Sequence, residues 1–152
     1  MYVYLVQHGE AVSKEEDPER PLSEKGKEDV ARVAAFVSSQ MGGAFSIRHS
    51  GKTRARQTAE ILRDRLLPGE EVSEADGLSP LDDPAIWAGR LAAGEGDIML
   101  VGHLPHLERL ASLLLCGKPE MGAVQFRMGG VVCLGRDDGL WSIRWMVIPD
   151  MA

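Results

Sequence analysis

Two histidines and an arginine stand where a chain of this pattern leaves reactive groups exposed. His8 follows Tyr2-Val3-Tyr4-Leu5-Val6, a continuous β-branched, aromatic and aliphatic run that reads as a strand buried on both faces. The run breaks at Gln7-His8-Gly9, where polarity begins and Gly9 permits a tight backbone path. His103 repeats the arrangement, following Ile98-Met99-Leu100-Val101 and Gly102. Arg54 opens a helical stretch just after a third short strand that ends at His49. A lone strand-end histidine is ordinarily a polar cap. Two imidazoles and a guanidinium, without a cluster of carboxylates or thiolates, suit a phosphoryl group. Arginine offers a planar fork for phosphate oxygens, and the first turn of a helix adds its backbone N–H groups.

These groups meet only if the elements carrying them are arranged to bring them together. In open α/β sheets, ligands bind beyond the carboxyl ends of the strands, so the three strands must be parallel neighbours. Ser23 reads as an N-cap, with Glu24 in the first turn and an apolar stripe of Val30, Val33, Ala34, Val37 and Met41. Gly42-Gly43 is expected to stop that helix. A strand over 44–49 precedes a helix over 54–66 whose inner face is Ala55, Thr58, Ala59, Leu62 and Leu66. A short edge strand over 71–75 follows, then a helix capped by Asp83 with Pro84 in its first turn. After the strand before His103 comes a helix over 105–115, then strands over 123–126, 131–134 and 141–148. Asp137-Asp138-Gly139 marks a hairpin between the last two. The order predicts one α/β domain over 1–152: a three-layer α/β/α sandwich with a mainly parallel sheet and an antiparallel C-terminal hairpin. The competing doubly wound nucleotide-binding fold lacks a GxGxxG or GxxxxGK[ST] loop after the first strand.

Composition narrows the partners. A net charge of −6 supplies no global basic field for nucleic acid or an anionic membrane. An anionic ligand must therefore be attracted by a local pocket. Cys116 and Cys133 lack metal-ligand spacing and read as buried free thiols of a reducing compartment. No signal-type segment or membrane-length apolar run is present, so a cytoplasmic protein is expected.

The chain resembles the histidine phosphatase superfamily, with its phosphoglycerate-mutase-like fold, and most closely its small SixA-type phosphohistidine phosphatases. The likeness runs through Gln7-His8-Gly9, Arg20-Pro21-Leu22-Ser23 to Gly26, and Ser50-Gly51-Lys52-Thr53-Arg54-Ala55-Arg56-Gln57-Thr58-Ala59. It continues in Leu78-Ser79-Pro80 and Gly102-His103-Leu104-Pro105. Each piece is common; their order and spacing are specific. Two positions depart from the family pattern: Gln7 replaces an arginine and Gly51 a proline.

The resemblance implies a metal- and cofactor-independent hydrolase with His8 as nucleophile, Arg54 binding phosphoryl oxygens and His103 donating to one of them. Gln7 and Gly9 join the phosphate pocket, the glutamine supplying an amide without charge, which weakens catalysis. Two readings of Arg20 stand side by side, a phosphate contact and an ion pair with the Glu15-Glu16-Asp17 cluster. Lys52 reads as a replacement charge or a solvated lysine. Glu10 and Asp76 are candidates for proton transfer, and His49 and His106 read as surface or structural residues.

The implied substrate is phosphohistidine on a protein domain, reached through an open site without an insertion between Ala59 and Ile98. The alternatives are a phosphomonoesterase acting on a small phosphate ester and a phosphate-binding regulator weakened by Gln7. Oligomeric state is not legible in the sequence.

Overall fold

The computed structural model describes residues 1–152. The elements run β1 (Tyr2–Gln7), α1 (Glu24–Val37), β2 (Ser46–His49), α2 (Thr53–Leu66), β3 (Val72–Glu74), α3 (Pro84–Ala93), β4 (Ile98–Gly102), α4 (His106–Cys116), β5 (Val131–Asp137) and β6 (Leu140–Val147). A short 3₁₀ turn, Pro149–Met151, closes the chain. The strands form one six-stranded sheet in the order β3-β2-β4-β1-β5-β6. β3, β2, β4 and β1 pair in parallel, whereas β5 and β6 run antiparallel at the other side. This is the expected α/β/α sandwich of phosphoglycerate-mutase type.

Alternation along the central strands builds the two cores. Tyr4 and Val6 of β1, Met99 and Val101 of β4, and Val131 and Cys133 of β5 face the side covered by α1 and α2. Val3, Leu5, Leu100, Val132 and Leu134 face the side covered by α3 and α4. Both faces of the central strands are therefore buried, which explains their unbroken apolar sequence. Each fully buried Leu or Val, such as Leu5 and Val6, contributes on the order of 1.5–3 kcal/mol of transfer free energy.

Local signals act as read at most boundaries. Ser23 caps α1 by accepting the Gly26 N–H, and Asp83 caps α3 by accepting the Ala85 N–H, with Pro84 in the first turn. The β5–β6 hairpin turns on Asp138 and Gly139, both at positive φ (50° and 76°), as a two-residue primed turn requires.

Three expectations need correction. α1 stops at Val37, well before Gly42-Gly43, because the Ser38 and Ser39 hydroxyls donate back to the Ala35 and Phe36 carbonyls and compete with the helical ladder. Residues 123–126 form no strand: Val124 and Phe126 are buried as their alternation suggested, but no neighbouring strand pairs with their backbone. Cys116 ends α4 exposed, and only Cys133 is buried. Of the two readings of His49 and His106, surface or structural, the fold takes the second: both are buried. No helix is long and apolar enough to cross a membrane.

Candidate active site

The ladder between β1 and β4 aligns Gln7 with Gly102 and continues one bond further, the His8 N–H donating to the Gly102 carbonyl at 3.1 Å. His8 and His103 thus follow directly on paired residues of parallel neighbours, and their rings lie 5.0 Å apart between centroids. On the other side of β4, His49 of β2 pairs with Val101. Ser50 consequently follows β2 beside the end of β4, and its Oγ lies 2.6 Å from His103 Nε2. Arg54 stands in the first turn of α2, whose start is not closed by a side-chain cap. The three strand ends do converge.

The turn after His8 is held by buried contacts. The Gly9 N–H donates to Thr58 Oγ1 (3.0 Å), and the Thr58 hydroxyl donates to the Arg54 carbonyl (2.8 Å). A Cβ on Gly9 would come within 2.9 Å of Val30 Cγ2 and 3.1 Å of the Gly26 carbonyl, so only glycine lets the turn dock on α1. Gln57 Oε1 accepts the Leu22 N–H at 2.7 Å, tying the loop that carries Arg20 to α2. Ser50, Gln57 and Thr58 are positioning groups to which the sequence assigns no role. Their signals are their place around Arg54 and, for Thr58, the inner face of α2; the bonds that reach Gly9, Leu22 and His103 join distant parts of the chain.

The imidazoles are arranged for chemistry. The Gly9 carbonyl lies 2.7 Å from His8 Nδ1; a carbonyl can only accept, so Nδ1 carries the proton and Nε2 keeps its lone pair. Burial, with the charges of Arg54 and Arg20, holds His8 below the usual imidazole range despite the opposing Gly9 bond. It is neutral at pH 7. His103 is pushed down to about 3 by burial and then by His8, Arg54, Lys52 and His106. Its Nδ1 is buried without a partner, as are Arg54 Nε and Gln7 Oε1. Ser50 Oγ also receives the Lys52 N–H at 3.4 Å, leaving its own proton free to donate to His103 Nε2. In that tautomer His103 Nδ1–H is a donor with nothing in the protein to receive it.

The cations around the site, Arg20, Lys52 and Arg54, enter no ion pair. Arg20 holds φ +47°, its Nε donates to the Val12 carbonyl at 3.1 Å, and its charge depresses the titration of both His8 and Arg54. It makes none of the molecule's ion pairs, so the Glu15-Glu16-Asp17 cluster does not engage it. Lys52 is exposed at the rim and acts on His103. The two candidate acids are otherwise engaged: Asp76 pairs with Arg90 (2.9 Å) and Glu10 lies 3.8 Å from Lys25. No group of three or more His, Cys, Asp or Glu side chains is arranged to hold a metal ion. A neutral nucleophilic nitrogen, facing donors without partners and flanked by unpaired cations, can attack an electrophilic phosphorus.

Comparison with known proteins agrees with this geometry. Residues 3–82 match the model of the histidine phosphatase superfamily (branch 1). An uncharacterised protein of Picosynechococcus is 36% identical, covering 97% of this chain and 99% of its own length. Among solved structures, the protein histidine phosphatase SixA complexed with tungstate superposes with a TM-score of 0.85 at 24% identity, over 99% of this chain and 98% of that one. The α-ribazole phosphatase of Shigella flexneri superposes with a TM-score of 0.79 at 14% identity, over 100% and 98%.

Proposed function

The chain belongs to the histidine phosphatase superfamily, and from that premise we propose that it removes phosphate from phosphohistidine on a protein, through a covalent intermediate on its own His8. The observation that carries this reading is the pairing of His8, its Nδ1 tied to the Gly9 carbonyl, with the partnerless donors of Arg54 and His103. The His8 Nε2 lone pair forms a bond to phosphorus as the P–N bond breaks in a substrate ring protonated on its other nitrogen, and that electron pair leaves on the substrate as neutral imidazole. Arg54, the His103 Nδ1–H and the α2 N-terminus meet the charge on the phosphoryl oxygens. Gln7, Gly9 and Arg20 line the pocket around them. Water then attacks phosphorus, the P–Nε2 bond breaks, and inorganic phosphate and neutral His8 result.

The choice of substrate rests on the leaving group. An alkoxide needs a proton from the site, whereas phosphohistidine protonated on its other ring nitrogen expels a neutral imidazole, whose conjugate acid titrates near ~6.5. The engagement of Asp76 by Arg90 and of Glu10 by Lys25 suits a substrate that needs no acid. Between α2 and β4 the chain carries only β3 and α3, without an inserted lid, and an open site accepts a side chain presented by another protein. The second reading is a small phosphate ester, supported by the position of half-buried Glu10 two residues beyond His8, where it could supply the proton. The test compares kcat/KM for a phosphohistidine-bearing domain, a phosphoserine peptide and small phosphate esters. Intact mass is measured after an alkaline quench, which preserves the P–N bond. Preference for phosphohistidine with phosphate captured on His8 is expected; equal rates would favour the ester, and tight phosphate binding without phospho-His8 would favour a regulator.

A further inference from the structure

His49 ends β2 on the same side as Ile47, facing α2, and is only 4% exposed. Its Nδ1 accepts the Gly51 N–H at 3.1 Å. Accepting there requires a lone pair, so the ring is neutral with its proton on Nε2. Between the two bonded residues lies Ser50, whose Oγ holds His103 Nε2. Immediately beyond lie Lys52, which precedes α2, and Arg54 in the first helical turn. One short turn therefore carries both the group that orients His103 and the entry to the helix of Arg54.

Gly51 is where this chain departs from the family pattern, and the departure makes the bond available. Proline has no N–H to donate. Gly51 has φ +92°, which the proline ring cannot adopt and other L-residues rarely do. The Glu74 carboxylate packs where a Cβ on Gly51 would stand. Proline would have stiffened the turn by locking its own backbone. Glycine leaves the turn free unless something else fastens it, and His49 does so from the end of the strand.

We propose that His49 is a positioning residue of this active site: the Gly51 N–H bond to its imidazole sets the Ser50 turn, and through Ser50 the orientation and tautomer of His103. The inference rests on the reading of His103 as a donor to the phosphoryl group. It carries a pH consequence, because a proton added to Nδ1 points at the Gly51 N–H and breaks the bond. The charged groups facing His49 are Glu74 on β3, which favours the imidazolium, and on α2 Arg56, which opposes it, and Glu60, which favours it. Burial outweighs them and holds the ring below its usual range.

Two variants separate the bond from the bulk of the ring. His49→Asn places a carbonyl oxygen where Nδ1 stands and does not titrate. His49→Phe keeps the ring volume and removes the acceptor. His49→Phe is expected to lower kcat by roughly tenfold, as a misplaced catalytic group does, with KM little changed. Its ¹⁵N ring spectrum should show His103 exchanging between tautomers, whereas wild type shows one. His49→Asn should restore both kcat and the His103 spectrum and remove one ionisation from the acid limb of the pH profile. Wild-type kcat and an unchanged His103 spectrum in His49→Phe would overturn the proposal, as would a His49→Asn variant as impaired as His49→Phe. Should His49→Phe fail to fold, the wild-type protein decides. Its Gly51 amide and His103 ring signals must move together as His49 titrates, and a His49 titration that leaves either unmoved overturns the proposal. The ring spectra need no substrate, so an inert phosphohistidine substrate would count against the proposed function and leave the His49 test intact.

Discussion

Two polar regions flank Glu10, and they are built in opposite ways. One is the edge where β1, β2 and β4 end, with His8, Arg54 and His103. The other is a cleft of about 140 Å³ between the start of α1 and the C-terminal segment, lined by Glu10, Lys25, Asp29, Arg127, Met128, Ile148, Pro149 and Asp150. The cleft is the more obvious concavity, yet its charges largely neutralise one another. Lys25 lies 2.7 Å from Asp29, Arg32 3.0 Å from Asp29, and Lys25 3.8 Å from Glu10. At the strand ends Arg54 Nε and His103 Nδ1 are buried without partners, and Arg20, Lys52 and Arg54 enter no ion pair. Unmet donors, rather than empty volume, set the strand ends apart, and on the proposed reading they are where an anion binds.

That contrast can be broken most sharply at His8. His8→Ala is expected to reduce phosphate release by at least on the order of 10³-fold, because the covalent route is lost, with circular dichroism unchanged. Retained turnover in the folded variant would place the chemistry elsewhere. Arg54→Ala comes next: losing one preorganised transition-state donor should cost on the order of 10²–10³ in kcat, checked by steady-state kinetics.

Acid should reveal the same contrast in stability. All four histidines are held neutral below their ordinary range, chiefly by burial. Below about pH 6.5 the unfolded chain binds protons that the folded chain refuses, so stability is full above that pH and falls as pH drops. For His103 the loss approaches about 1.4 kcal/mol per pH unit towards its folded value of about 3, and the other three histidines act in the same direction. Urea midpoints at pH 7.5 and pH 5 measure this; equal midpoints would mean that the rings protonate freely in the fold.

A smaller effect is expected at Gln7, whose Oε1 is buried without a partner. Gln7→Arg should raise kcat/KM by roughly tenfold, about 1.4 kcal/mol, by replacing a neutral donor with a charged fork. No gain, together with a loss in Arg20→Ala, would show that Arg20 already supplies the missing charge. Smallest is the change expected in the cleft. Burial opposes ionisation of Asp29, yet Lys25 and Arg32 together hold its carboxyl below the usual range. Asp29→Ala should cost about 1 kcal/mol of stability, because both cations it leaves behind can turn to water, and should leave kcat unchanged. A large loss of activity there would make the cleft part of the site.

Much of this protein is legible in its amino-acid sequence. The buried strands before His8 and His103 announce themselves by unbroken apolar runs, and the caps at Ser23 and Asp83 act within a few residues of where they stand. These are local signals, and local chemistry decides them. The strand expected over 123–126 shows the limit: alternation reports burial of Val124 and Phe126, whereas a strand also needs a neighbour for its backbone. The same limit applies to the histidines. By sequence His49 and His106 are unremarkable beside His8 and His103; in the fold all four are buried, and their differences lie in what each ring nitrogen meets. His8 meets its own neighbour's carbonyl, His103 meets a serine 53 positions earlier, His49 meets the amide of a glycine where the family has proline, and His106 meets no partner at all. Sequence determined the elements, their order and the residue types at the strand ends. The parallel register of β1, β4 and β2 decided which of those residues face one another, and with it the Ser50 contact that orients His103, because such contacts join positions that no local pattern relates.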